Sequence, residues 1–311
     1  MGWNADSFLS SLKARGQFPT AYTGAFSDAE LLSLADEEIM TRIAPLVVSC
    51  REEFWVKSAD TALVASTSIY RMHARAMASS LRDVTLVVSG NEVSLPIVSP
   101  EEAPTTTVGG NPYWPAGAAI TIRGEHIVFL PTPSANVSGT LRQYFVLARP
   151  LLVPSTSAGS ITGVDFGTKV VTCANVPTSW TTSLRYDLTR GKGQHDIYAF
   201  DEPITAITTG ASGTLTFTNA LPAELGSATP DYVHRANQTY LVPLPQEVFP
   251  LLVSAVLVRV LMALGSSSKA LVEERLMEQQ TERTRELLTP RVDGEHVRLL
   301  NRSSPLRWGR V

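Results

Sequence analysis

Cysteine is nearly absent from this chain of 311 residues. The two cysteines, Cys50 and Cys173, lie far apart, and neither has a second cysteine or a histidine at the spacing of a zinc or thiol-redox site. A disulfide scaffold is therefore excluded. We expect both residues to be buried, inert thiols in a protein made in a reducing compartment.

Charge is also sparse, and one kind of cation dominates. Charged residues make up 18% of the chain, below the roughly 25% of an average soluble domain. The chain has 26 lysine and arginine residues and 29 acidic residues, which gives a net charge of −3. This charge excludes a protein that binds nucleic acid over its whole surface. There are 21 arginines and only five lysines. Because arginine forms planar, bidentate contacts at protein interfaces, this bias favours assembly with other proteins.

The usual signatures of catalysis and export are missing as well. The sequence has no apolar run of signal-peptide length near residue 1, and no nucleophile-elbow, dinucleotide-binding or phosphate-loop motif. His195 and Asp196 are adjacent, but neighbours in a strand point to opposite faces. We therefore expect no enzyme, no cofactor and no metal. The alternative is a hydrolase assembled from distant loops with His195 or His234 as its base.

One long apolar run is present, at residues 248–264. It contains Pro250 and Arg259 and is shorter than the roughly 20 residues that a bilayer span needs, so we expect a buried helix and no membrane association. Its apolar residues occupy nearly all sides of the helix, which is typical of a central helix in a bundle or an oligomer. The residues predicted to pack against other subunits are Leu251, Leu252, Val256 and Leu261.

Two further segments have helical periodicity. Ser27 and Glu30 match a capping box, and apolar residues then recur at spacings of three and four to about residue 57. Pro45 predicts a kink or break near residues 41–43. A short helix is predicted at residues 73–83 and a charged one at 269–288. The acids on the wet face of the first segment are Glu37, Glu38, Glu52 and Glu53.

Between these helical parts the period changes to two. Predicted hairpins join residues 84–88 to 92–98 and residues 119–122 to 126–130, and 16 of the 31 threonines lie between residues 156 and 239. Frequent glycine and proline are typical of a sandwich or barrel. The predicted fold class is α+β, with a discontinuous α-helical core interrupted by a β-rich insertion. The predicted parts are residues 1–83 and 244–290 for the core, 84–243 for the insertion and 291–311 for an extended C-terminal arm.

The arm is basic and lacks periodicity. It carries five arginines against Asp293 and Glu295, and its apolar content is too low for it to fold alone. We expect it to become ordered on a partner, with a disordered, solvated tail as the alternative.

Three stretches of sequence carry a family resemblance. They are residues 35–39 with 43–55 (ADEEI, IAPLVVSCREEFW), residues 69–77 with 81–84 (IYRMHARAM, LRDV), and residues 287–295 with 301–302 (LLTPRVDGE, NR). Weaker matches at residues 161–165, 186–188 and 231–233 extend the likeness through the β-rich part. Together they resemble the head-to-tail adaptor (connector) proteins of short-tailed bacteriophages.

The resemblance implies a virion structural protein of the neck, made in the host cytoplasm. Such a protein forms a homo-oligomeric ring, expected to be a dodecamer, that docks beneath the portal protein and continues the DNA channel towards tail nozzle or tail fibre proteins. Genomic DNA would pass through the lumen without sequence-specific binding, which agrees with the net charge of −3. The arm residues expected to bind the portal are Arg291, Arg298, Asn301, Arg302, Arg307, Trp308 and Arg310.

Two questions stay open on the sequence alone. Glu37, Glu38, Glu52 and Glu53 face either the channel lumen or the outside of the ring. The alternative function is a carbohydrate- or receptor-binding tail module, based on the threonine-rich strands and on Tyr113 and Trp114, whose rings suit stacking on a sugar.

Overall fold

The fold is α+β, as predicted: helices from both ends of the chain share one core, and the strands lie between them in sequence. This computed structural model describes residues 3–17, 25–51, 53–99, 101, 119–130, 132–133, 139–191, 196–226 and 231–289. The 3₁₀ turns are Ser155–Ser157 and Gln246–Val248. The helices are α1 (Ala5–Gly16), α2 (Asp28–Glu38), a π-helix (Ile39–Ile43), α3 (Ala44–Cys50), α4 (Phe249–Ala263) and α5 (Ser267–Leu288).

Helix α4 is the centre of the helical core. Its sequence is apolar on nearly all sides, and α1, α2 and α5 all pack against it. By length and composition the segment Gln246–Ala263 also resembles a membrane span, but 67% of it is buried inside the protein. The sequence-based expectation of a buried helix is confirmed.

Capping residues explain where the N-terminal helices begin. Ser27 and Glu30 form the predicted capping box, with the Ser27 amide donating to Glu30 Oε2 at 2.7 Å. Helix α1 was not predicted from the sequence. It begins with a second capping box in which the Ser7 amide donates to Asn4 Oδ1 at 2.7 Å, and it buries Phe8 against Phe249 of α4.

Fifteen strands are present in the described ranges. Two antiparallel sheets, with strand orders β1-β7-β3-β4 and β2-β6-β5, share one apolar core, and six strands form a closed barrel in the order β10-β13-β12-β11-β14-β9. The strands are β1 (Val56–Ala62), β2 (Ile69–Arg71), β3 (Ala76–Val88), β4 (Asn91–Ser94), β5 (Ala119–Arg123), β6 (His126–Leu130), β7 (Thr140–Leu147), β8 (Leu151–Leu152), β9 (Gly159–Asp165), β10 (Val170–Cys173), β11 (Arg185–Arg190), β12 (Asp196–Thr208), β13 (Gly213–Phe217), β14 (Tyr232–Arg235) and β15 (Gln238–Thr239).

The barrel closes over its own apolar interior. Leu215 of β13, Val171 of β10 and Val233 of β14 are fully buried there. Gly213 permits the approach of β13 to Val176, because a Cβ at this position would lie 2.5 Å from Val176 Cγ2 and would also collide with Thr208 O. A parallel pair of short strands, β8 and β15, joins the barrel to the helical core.

The predicted helix at residues 73–83 is wrong. Residues from Ala76 onward form β3, whose pairing with β7 overrides the local helical pattern. The strands also begin at Val56, so the helical N-terminal part ends near Cys50 and not at residue 83. The predicted break near residues 41–43 coincides with the π-helix Ile39–Ile43.

The two cysteines differ in their surroundings. Cys173 is fully buried in the barrel, where burial raises the pKa of its thiol to about 12, as expected for an inert side chain. Cys50 is only half-buried at the end of α3.

Candidate functional site

A groove of about 490 Å³ lies on the helical core between α2 and its π-helical extension on one side and α4 and α5 on the other. Both apolar and charged side chains line it. The lining residues are Glu37, Glu38, Thr41, Arg42, Ala255, Val258, Arg259, Met262, Glu274 and Met277.

The π-helix shapes one wall of this groove. Pro45 has no amide hydrogen and cannot donate to the carbonyl four residues earlier, and the amide of Ala44 donates instead to Ile39 O, five residues back. Thr41 Oγ1 donates to Glu37 O at 2.8 Å at the same place. This widened turn presents Glu38 and Arg42 to α4 and α5.

Glu38 is buried but incompletely satisfied. Only 6% of it is exposed, and among the described residues its Oε2 has no hydrogen-bond partner. The nearest cations are Arg42, whose Nε lies 3.8 Å from Oε2, and Arg259, whose Nη1 lies 3.5 Å from Oε1 and 2.7 Å from Glu37 Oε2. Carboxylates outnumber guanidinium groups in the groove, since Glu274 adds a third acid.

The acids singled out in the sequence fall into two places. Glu37 and Glu38 line the groove, whereas Glu53 is exposed and pairs with Arg82 of β3. Glu52 lies outside the described residues, as do all the predicted portal-binding residues of the arm (residues 291–311), Tyr113, Trp114 and His195.

The four residues predicted to pack against other subunits lie inside this chain. Their exposed fractions are between 0% and 5% because α1, α2 and α5 cover α4 on its separate sides. The prediction that they pack between subunits is therefore wrong, and the physical reason is that the chain supplies its own partners for the apolar helix. These residues are Leu251, Leu252, Val256 and Leu261.

His234 has a structural role in the barrel wall. It is fully buried, its Nε2 accepts a hydrogen bond from the Tyr240 amide at 2.9 Å, and its Nδ1 lies 3.1 Å from Thr189 Oγ1. Because the amide can only donate, Nδ1 carries the proton and Nε2 has no free lone pair with which to act as a base. This removes His234 from the hydrolase alternative.

A buried ion pair, which sequence reasoning missed, connects the sheets to the barrel. Arg75 precedes β3, and its Nη1 lies 2.8 Å from both carboxylate oxygens of Asp187 on β11. Asp201 of β12 lies 3.4 Å from the same nitrogen and donates its amide to Asp187 Oδ1 at 2.9 Å. Burial raises the pKa of Asp187 to about 6, although Arg75 opposes the shift. No local signal indicated it, because Tyr186, Asp187 and Leu188 follow the ordinary apolar–polar alternation of a half-buried strand.

A second buried cation stands beside the helical core. The guanidinium carbon of Arg149 lies 3.8 Å from the ring centroid of Trp55, and burial lowers the pKa of Arg149 to about 10. Within the described part of the chain, Nε and Nη2 of Arg149 have no hydrogen-bond partner. This contact fixes the start of β1 against the end of β7.

No group of three or more histidine, cysteine, aspartate or glutamate side chains suited to a metal ion occurs among the residues that the structure describes. No protein-family model matches the chain, and no curated protein matches it either.

Asp36 provides a test of how the helical core responds to pH. Both carboxylate oxygens accept the Leu152 amide of β8, at 3.0 and 3.2 Å, and burial raises the pKa of Asp36 to about 7. The folded state therefore holds this proton more tightly than the unfolded state, and wild-type stability falls as pH rises from about 4 to about 7.

We expect Asp36→Asn to remove that loss while its amide oxygen still accepts the Leu152 hydrogen bond. The variant should be more stable than wild type by about 1 kcal/mol at pH 8 and nearly equal to it at pH 4, the gain being limited because Asp36 is only half-buried. Urea unfolding at the two pH values measures the difference. A constant difference across this range would contradict the burial of the carboxylate.

Proposed function

We propose that this chain is a viral structural protein, a head-to-tail adaptor whose ring joins the portal to the tail and extends the DNA channel. One observation carries the proposal: the first and last of the sequence stretches that resemble adaptor proteins contact each other in the helical core. Arg51, in the first stretch, donates from Nε to Leu288 O, in the last stretch, at 3.2 Å. In sequence, the basic arm thus follows directly after the helical core.

The arm has the chemistry of a docking segment. Its five arginines suit bidentate contacts with carboxylates, and Trp308 is the kind of large aromatic residue that anchors an interface in a pocket. We propose the portal protein as its partner. Tail nozzle or tail fibre proteins would be further partners of the ring, and the chain would reside in the virion neck after synthesis in the host cytoplasm.

The low charge supports a conduit. A ring whose inner wall carried excess cations would hold phosphate groups and slow the passage of DNA. The net charge of −3 is consistent with a channel through which genomic DNA slides without sequence-specific binding.

Deletion of residues 291–311 is expected to abolish binding to the portal ring encoded in the same genome. The described helices and strands end at Leu288, so the truncated chain should keep its far-ultraviolet circular dichroism spectrum and melting temperature. Co-sedimentation with purified portal rings measures binding. The matched control is Arg123→Gln, an exposed arginine on the β5–β6 hairpin.

Within the arm, Trp308→Ala should weaken binding by about 2 kcal/mol or more if this residue is the anchor. Replacement of Arg298, Arg302, Arg307 and Arg310 by glutamine should weaken it most at low salt, where charged contacts are least screened. Portal binding by the truncated chain at wild-type strength would remove the arm from the mechanism.

A further inference from the structure

Helix α5 carries an exposed apolar stripe on the flank opposite the groove. At 100° per residue, Val272, Leu276, Arg283 and Leu287 fall within about 60° of one another around the helix axis. The apolar members of this outer stripe are 61%, 43% and 63% exposed, in chain order. Val272, Leu276 and Leu287 therefore lie exposed on one side of the helix, with Arg283 between the last two.

The groove lies on the other flank of the same helix. Glu274 lines it and is rotated by about 170° from the middle of the outer stripe. Met277 lies between the two flanks, facing the core. One helix therefore presents two different surfaces in nearly opposite directions.

The two surfaces are complementary in charge. Arg283 is exposed in the outer stripe and forms no ion pair with any described residue, and the same holds for the half-buried Glu274 in the groove. Glu38 adds a buried carboxylate whose Oε2 has no hydrogen-bond partner among the described residues. The groove thus has room and negative charge for an incoming cation.

The two surfaces are also complementary in their apolar parts. Met262 is 51% exposed at the edge of the groove, and Ala255 and Val258 line it with Met277. Methionine side chains adapt to irregular partners, so the exposed Met262 suits apolar side chains from another helix. A stripe of one valine and two leucines with an arginine among them is complementary to a groove lined by apolar and acidic side chains.

We propose that the outer stripe of one copy docks into the groove of the next copy, with Arg283 paired to Glu274 and Glu38. This deepens the proposed function, on which it rests, by assigning the subunit interface of the ring to α5 in place of α4. The contact is heterologous, since each copy contributes a different surface. Such a contact repeats from copy to copy and closes into a ring when its rotation permits.

The test uses two full-length variants with opposite defects. Arg283→Glu reverses the charge on the outer stripe and leaves the groove unchanged. Glu274→Arg reverses a charge in the groove and leaves the outer stripe unchanged. Each variant alone should self-associate about tenfold more weakly than wild type, which is the effect expected for reversing one interfacial charge pair. Sedimentation velocity at increasing protein concentration measures the association.

Mixing the two variants in equal amounts is the decisive measurement. In the mixture the reversed stripe of one chain meets the reversed groove of the other, and the remaining two surfaces are wild type, so association should return to the wild-type strength. Arg123→Glu, a charge reversal on the distant β5–β6 hairpin, should change nothing. Circular dichroism melts verify that each variant is folded.

Three outcomes would overturn the proposal: a wild-type chain that remains monomeric at every concentration, single variants that associate normally, or a mixture that shows no recovery. A contact between two like stripes predicts the second outcome for Glu274→Arg, which would associate normally because Glu274 lies outside the stripe. The assay contains no portal, so loss of self-association is distinguishable from loss of portal binding by the truncated chain.

Discussion

Replacement of Arg75 by methionine is expected to lower the free energy of unfolding by about 3–5 kcal/mol. The substitution leaves Asp187, which is fully buried, without its cation. The methionine stem still covers Phe200, over whose ring the guanidinium carbon of Arg75 lies at 5.9 Å, so the loss reports the charge and not the packing. Urea unfolding followed by far-ultraviolet circular dichroism measures the change.

The pH dependence of this variant has a definite sign. Burial already raises the pKa of Asp187 to about 6 in the presence of Arg75, and removal of the cation must raise it further. Below that pKa the carboxyl is neutral and the cost of burial falls. The destabilisation should therefore be larger at pH 8 than at pH 5.

A double variant distinguishes the cost of leaving Asp187 unpaired from the cost of changing the side chains at this position. Arg75→Met combined with Asp187→Leu removes both ions and should recover most of the lost stability, because replacing a buried ion pair by apolar residues is often neutral. The matched control is Arg71→Met, since Arg71 is exposed on β2 and pairs with the exposed Glu125 in the turn between β5 and β6. That change should cost less than about 1 kcal/mol. A double variant as unstable as the single one would show that the ion pair does more than neutralise its own charges.

This ion pair also shows where sequence reasoning stops. Its partners are separated by 112 positions, and nothing local to either residue identifies the other. Helix α4 was predictable for the opposite reason. A single continuous run of apolar residues is enough to indicate that the helix is buried. The groove falls between these cases: Glu37 and Glu38 were singled out, but Met262 and Arg259 reach them only through tertiary packing.

The wrong helix at residues 73–83 has a similar origin. The β3 strand is irregular there, with a register shift between Ala76 and Leu81 against β7, so the alternation that marks a strand is lost. The missed α1 helix is about as long as α2, and the spacing of Phe8 and Leu12 after Asn4 was a usable signal for it. Long, uniform segments were predictable, and segments shaped by distant partners were not.

Replacement of Leu252 by alanine is expected to cost about 2–5 kcal/mol of stability, because it opens a cavity at the centre of the helical core. Leu252 is completely buried on α4, in the apolar cluster that also contains Phe249 and Val256. The barrel has a separate apolar core, so its own side chains are not touched by the change. Urea unfolding of the variant gives the free-energy difference directly.

The matched control lies on α5. Leu276→Ala removes the same atoms from a side chain that is 43% exposed, so it should change stability by less than about 0.5 kcal/mol. If α5 forms the subunit interface, Leu276→Ala weakens self-association at unchanged stability, whereas Leu252→Ala weakens folding first. The reverse pattern, with a stable Leu252→Ala chain that fails to associate, would return the interface to α4. The two leucines therefore test different contacts. Leu252 tests packing inside the chain, and Leu276 tests the proposed contact between chains.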